Sequence, residues 1–193
     1  MVVDRHHHPV EQQGGLAPRH RVAARCPLEI EQERQHAAGA QHRGRDRQRL
    51  QRSFEQAGVV VLPERAYPRT DADSFAAAMS EDLRRCKLFV QLLGEYPGRV
   101  RGWEVSLSAL QYQVAQRAGV PLRRWRRFGL GEDDVRDATH RQSVFAADVV
   151  NEGLEVFAAG VLAALRQTAA ASPAAAGALL VFVNHEPDDG RVA

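Results

Sequence analysis

Lysine is all but missing from this chain. Lys87 stands alone among 26 basic residues in a sequence of 193. So lopsided a choice of arginine fits the coding bias of a GC-rich gene, and arginine abundance by itself says nothing about guanidinium chemistry. Cysteine is scarce as well, with Cys26 and Cys86 only. Cys86 opens an apolar run, where cysteine behaves as a small hydrophobe, so no structural disulfide is expected. Long apolar runs are absent too. No window approaches the roughly 18 residues that a membrane helix requires. The N-terminus has His6–His8 where a secretory leader has an apolar stretch. The sequence therefore predicts a cytoplasmic chain without a membrane partner.

What is present is unevenly distributed. Residues 1–52 hold ten arginines against six acids, a net +4, whereas the remaining 141 carry 16 bases and 18 acids, a net −2. The basic front end is rich in Gln, His, Arg, Gly and Ala, with almost no aromatics and no sustained periodicity. It has too little apolar surface to offset the entropy of ordering, so residues 1–45 are expected to be a disordered basic segment. One histidine triplet without further ligands is read as solvated and not as a metal site. Nucleic-acid binding is not expected either, because no aromatics are interleaved with the arginines.

From Asp46 onward the text changes character. Leu50, Phe54 and Ala57 share one helical face, and Gly58 follows as a C-cap before "VVVL". Asp71 or Asp73 can cap a second helix whose face is Phe75, Met79 and Leu83. That helix feeds "KLFVQLL". After a loop over 94–104, Leu107, Leu110, Val114 and Ala118 line a third helix that closes on Gly119 before "VPLRRW". The spacing predicts strands at Val59–Leu62, Leu88–Leu93 and Val120–Leu122 as parallel neighbours, with helices at 46–57, 73–84 and 106–118. A further amphipathic helix is expected over Gly153–Gln167. Strands that read as unbroken apolar runs belong to a parallel sheet covered on both faces, an α/β fold.

"TAAASPAAAGA" has the composition of a linker, and "LLVFVNHEPDD" is another buried strand running into an acidic loop. The expected organisation is an α/β domain over 46–168, a linker over 169–178, and at 179–193 the opening strand and loop of a truncated second unit. The α/β domain lacks an opening strand of its own, and Leu179–Val183 is expected to fill the empty sheet edge.

The combination "EQAGVVVLPE", "FAAAMSEDLRRCKLFVQLLG", "LQYQVAQRAGVPLRRWR" and "VFVNHEPDD" resembles bacterial TIR-like domains, relatives of the Toll/interleukin-1 receptor domain found in signalling and defence proteins. The likeness spans about residues 50–190. It implies a flavodoxin-like, three-layer α/β/α parallel sheet with its first strand missing, and ligands beyond the carboxyl ends of the strands. The loop from Gly94 then borders the cleft. Enzymatic members cleave the glycosidic bond of NAD with a helix-borne glutamate; in this resemblance that position, two residues after Gln111, holds Gln113. An amide has no charge with which to stabilise a developing cation. Glu104 is the nearby carboxylate that could substitute, against the plainer reading of a solvated loop acid.

Trp103 and Trp125 end elements on the cleft side and could stack on a base, or simply anchor loops over the core. "RRWRR" reads as a solvated or phosphate-facing strand end. His140 and His185 are expected at the surface, and Asp188 and Asp189 in a loop. "GEYPG" lacks the layout of a dinucleotide fingerprint. The reading is a non-catalytic TIR-like interaction or sensor module without a cofactor, working through protein partners or self-association. A nucleotide ligand, and with it an NAD glycohydrolase, is the alternative; an inactive gene fragment is a third.

Overall fold

Each helix carries apolar residues at three- and four-residue spacing, and its ends are closed by the side chains the sequence places there. The computed structural model describes residues 44–171 and 180–183. Helix α1 covers residues 44–56 and buries Leu50 and Phe54. Gly58, at φ 76°, turns the chain so that the Val59 amide donates back to the Phe54 carbonyl. Strand β1, Val60–Leu62, follows. Helix α2, Ala72–Arg85, is capped by Asp71, which accepts from the Ser74 amide at 2.7 Å, and buries Phe75, Met79 and Leu83. Strand β2, Leu88–Leu93, is buried along its whole length. Helix α3, Leu107–Ala118, starts at the Ser106 cap and ends at Gly119 in the left-handed region.

Strand β3, Leu122–Arg126, leads through a short turn of 3₁₀ helix at Glu132–Asp134 into α4, Ala138–Val144. Strand β4, Val149–Val150, helix α5, Leu154–Ala171, and strand β5, Leu180–Val183, complete the described residues.

All pairings are parallel, in the order β1-β5-β2-β3-β4. If β5 is numbered first, this order reads 2-1-3-4-5, the doubly wound flavodoxin-like arrangement. Helices α1 and α5 pack on one face, where Phe54, Val90, Trp125, Phe157 and Val181 meet. Helices α2 and α3 pack on the other over Phe89 and Phe182. Helix α4 closes that second face beside β3, which its Ser143 contacts through Arg124. The fold is the expected three-layer α/β/α parallel sheet.

Several details differ from expectation. Strand β5 does fill a vacancy in the sheet, but an interior one, between β1 and β2. β1 and β2 are therefore not neighbours: the crossover through α2 skips one position, and apolar runs do not record how many positions a crossover skips. The third strand lies at Leu122–Arg126 and not at Val120–Leu122, so "RRWR" is strand and not a solvated end. Arg124 and Trp125 are both 4% exposed, on opposite faces of the sheet. The disordered segment expected over 1–45 gives way to α1 at residues 44–45, and the linker expected over 169–178 starts inside α5, which runs to Ala171 because its alanine-rich end continues the helix; the rest of both segments, and His185, Asp188 and Asp189, lie outside the described residues.

Candidate functional site

A parallel sheet brings the carboxyl ends of its strands to one edge, and the loops over 63–71, 94–106 and 127–137 leave from there. With β5 counted first, the switch point between the first and third strands falls between β5 and β2, which is where doubly wound sheets hold ligands. Near this edge, under the loop after β1, lies a cavity lined by Ala66, Tyr67, Arg69, Phe75, Gln111 and Phe182. Its free volume of about 10 Å³ is room for about one water.

Aromatic packing has taken up most of the space. Tyr67 meets Phe75 edge-on with ring centroids 5.4 Å apart and stacks on Phe182 at 6.2 Å, while Phe75 meets Trp103 at 5.5 Å. The Tyr67 hydroxyl donates to Asp82. Burial, and then the Asp82 carboxylate, push that phenol far above its ordinary range, so it remains a neutral donor.

The loop after β2 is tied down on two sides. The Leu107 and Ser108 amides donate to the Gly98 and Pro97 carbonyls at 2.8 and 3.2 Å. The Ser108 hydroxyl also donates to the Pro97 carbonyl, at 3.0 Å. From α4, His140 Nε2 lies 2.9 Å from the Gly94 carbonyl, and Asp137 pairs with Arg99. The Asp137 carboxyl is held below the usual carboxylate range, first by the His140 backbone amide and then by Arg99.

Beneath this loop runs a buried polar network that sequence reasoning missed. Arg124 donates through Nε to Gln91 Oε1 at 3.1 Å and through Nη1 to Asp148 at 3.1 and 3.2 Å. Its Nη2 donates to the Ser143 carbonyl at 3.0 Å and to the Ser143 hydroxyl. The Tyr112 ring covers the guanidinium at 4.5 Å. Gln91 in turn donates to the Ser108 carbonyl at 2.8 Å. The one sequence signal for this network is Gln91 itself, a polar residue in the middle of "LFVQLL".

The expected site residues divide. Gly94 is buried at the start of the loop, Trp103 is half-buried against Phe75, and Gln111, 1% exposed, lines the cavity. Gln113 and Glu104 are exposed. Trp125 is no cleft residue. It packs against Phe157 on the opposite face, where its indole N–H donates to the Glu152 carbonyl at 2.8 Å. His140 is 4% exposed and not at the surface, because α4 folds its first turn onto the loop. Among the described residues no group of three or more His, Cys, Asp or Glu side chains could hold a metal ion, and no helix is long and apolar enough to cross a membrane. Comparison with known proteins adds no family to this geometry: no family model, curated protein or solved structure matches the chain.

Proposed function

We propose that this chain is a non-catalytic TIR-like interaction or sensor module of a bacterial signalling or defence protein, acting through protein contacts and not by cleaving a nucleotide. One observation carries the reading. The α3 position that the resemblance assigns to a catalytic carboxylate holds an exposed amide, Gln113, while the α3 residue lining the cavity is another amide, Gln111. Neither provides a negative charge for a ribose cation. The same edge presents Phe128, 74% exposed on the loop after β3 beside Arg127, an aromatic of the kind that anchors contacts between proteins.

Catalysis on NAD is the second reading. It keeps a footing because Tyr67, Arg69 and Gln111 line a cavity near the carboxyl ends of the strands, the edge at which doubly wound sheets take ligands.

The test joins a nicotinamide-release assay to light scattering across a range of protein concentrations. No turnover in the wild type, with association that Phe128→Asp weakens, supports the interaction module. Turnover that disappears in Glu104→Ala replaces it with the enzyme. A chain that neither turns over nor associates removes self-association from the reading and leaves heterologous partners.

A further inference from the structure

We propose that the outer edge of β1 binds a short extended peptide of another protein, basic at both ends, which adds a strand to the sheet. The proposal does not depend on the function put forward above, whose contact residue, Phe128, lies after β3. β1 stands at the end of the sheet, with β5 on its inner side and no strand on its outer side among the described residues. Such an edge presents unpaired N–H and C=O groups, with which an extended chain pairs through its own main chain. A groove runs along it, lined by Gln51 and Glu55 of α1, by Val59, Val60 and Val61, and by Glu64. Its free volume is about 500 Å³, within the range of about 300–1,000 Å³ that ligand clefts occupy. Val60 is 38% exposed there, which leaves apolar surface for an incoming side chain to cover.

Side-chain bonds hold the groove in shape, and the backbone bounds its length. On α1, Arg47 Nη1 donates to Gln51 Oε1 at 2.9 Å, and Gln51 Nε2 donates to Glu55 Oε1 at 2.8 Å. Arg47 Nη2 donates to the Pro63 carbonyl at 3.1 Å. Pro63 has no N–H to offer, so pairing stops at Leu62. At the other end the Val59 amide is taken by the Phe54 carbonyl at 2.9 Å. Val60–Leu62, three residues, are left for an incoming strand. That is the footprint of a linear peptide and too little for the edge of a second sheet.

Charge selects the peptide. The groove carries two carboxylates, Glu55 before β1 and Glu64 after it, and no cation among its lining residues. Arg47 is committed to Gln51 and Pro63, and Arg49 to Glu155. Arg52 and Arg65 are exposed and do not line the groove. A peptide with Arg or Lys at each end meets both carboxylates, while an apolar residue between them covers Val60. A second copy of this chain fits less well. Two β1 strands meeting antiparallel across a twofold axis would carry each Glu64 toward the other copy's Glu55, setting like charges together.

The test selects binders to the full chain, in about 50 mM salt so that exposed pairs are little screened, from a library of capped hexapeptides. Arginine stands at both ends and the inner positions vary; a glutamate-ended library is the control. Arginine-ended peptides should be selected over glutamate-ended ones. On binding they should protect from exchange those amides of Val60–Leu62 that β5 does not engage, and backbone N-methylation of the peptide should abolish binding. Replacing both carboxylates, Glu55→Gln with Glu64→Gln, should weaken binding about 5-fold, the effect of two exposed ion pairs. Val60→Lys, a charge on an exposed edge position, should weaken it at least as much with Tm unchanged. Phe128→Asp should leave peptide binding as it was, which separates this surface from the one proposed above. No preference for the arginine-ended library, or equal binding of the N-methylated peptide, would overturn the proposal. So would outer β1 amides already protected without peptide: protection that rises with protein concentration would mark a second copy, and protection independent of it a segment of the same chain.

Discussion

Replacing Arg124 with methionine tests whether the polar network holds the second face of the sheet together. Methionine retains a flexible apolar stem under Tyr112 but supplies no donors. Three residues then lose a partner. Asp148 is 53% exposed in its side chain and can return to water, so its loss counts for little. Gln91 is fully buried, and its Oε1 is left without the guanidinium. The Ser143 carbonyl and hydroxyl lose Nη2 as well. Each buried acceptor left unmade costs about 1–3 kcal/mol, and Gln91 and Ser143 each lose a donor. An overall loss of about 4 kcal/mol follows, a fall in Tm on the order of 10 °C for a domain of this size. Urea unfolding followed by tryptophan fluorescence suits the measurement, because Trp125 adjoins Arg124 on the strand. Asp148→Asn is the comparison, expected to cost less than about 1 kcal/mol. A loss below about 1 kcal/mol in Arg124→Met, or equal losses in the two variants, would refute the claim that the network and not the surface pair carries the stability.

Four further outcomes are expected. Phe182→Ala should cost about 3–5 kcal/mol, since Phe182 is 1% exposed and packs on Phe89 and Tyr67; a loss below about 1 kcal/mol by urea unfolding would mean β5 is not bound in the sheet. In a Cys26→Ser background, Cys86 should resist a thiol reagent until the protein unfolds, because burial and then Asp82 push its thiol up to about 12; rapid labelling under native conditions would contradict this. Asp137 contributes stability that is present above the ordinary carboxylate range and lost as pH falls through its depressed folded-state value, so Asp137→Asn should reduce acid sensitivity of α4 unfolding below about pH 4, followed by amide exchange. Gln113→Glu should leave nicotinamide release at background, since the side chain is exposed and not in the cavity; activity gained there would move the reaction site to the outer side of α3.

How far the sequence alone reached depends on the range of each interaction. Helix α2 was legible to within a residue because Phe75, Met79 and Leu83 repeat at four and Asp71 caps it, and all of that lies within one segment. The unbroken run of β2 announced a strand covered on both faces, and with it the layered parallel sheet. The cavity was legible only in outline. Its place at the strand ends follows from the fold class, but Tyr67, Phe75 and Phe182 converge from a loop, a helix and a distant strand. Arg124 shows the limit most clearly. Among neighbouring arginines, nothing local distinguishes the one that is buried, because burial here depends on Gln91, Ser143 and Asp148 arriving from other elements to accept its protons. His140 reads as a surface histidine for the same reason, since its partners Gly94 and Ser108 lie 46 and 32 residues away. Periodicity and capping are local and so written in the chain; the seating of β5 inside the sheet and the pairing of buried polar groups depend on contacts across it, which only the tertiary structure decides.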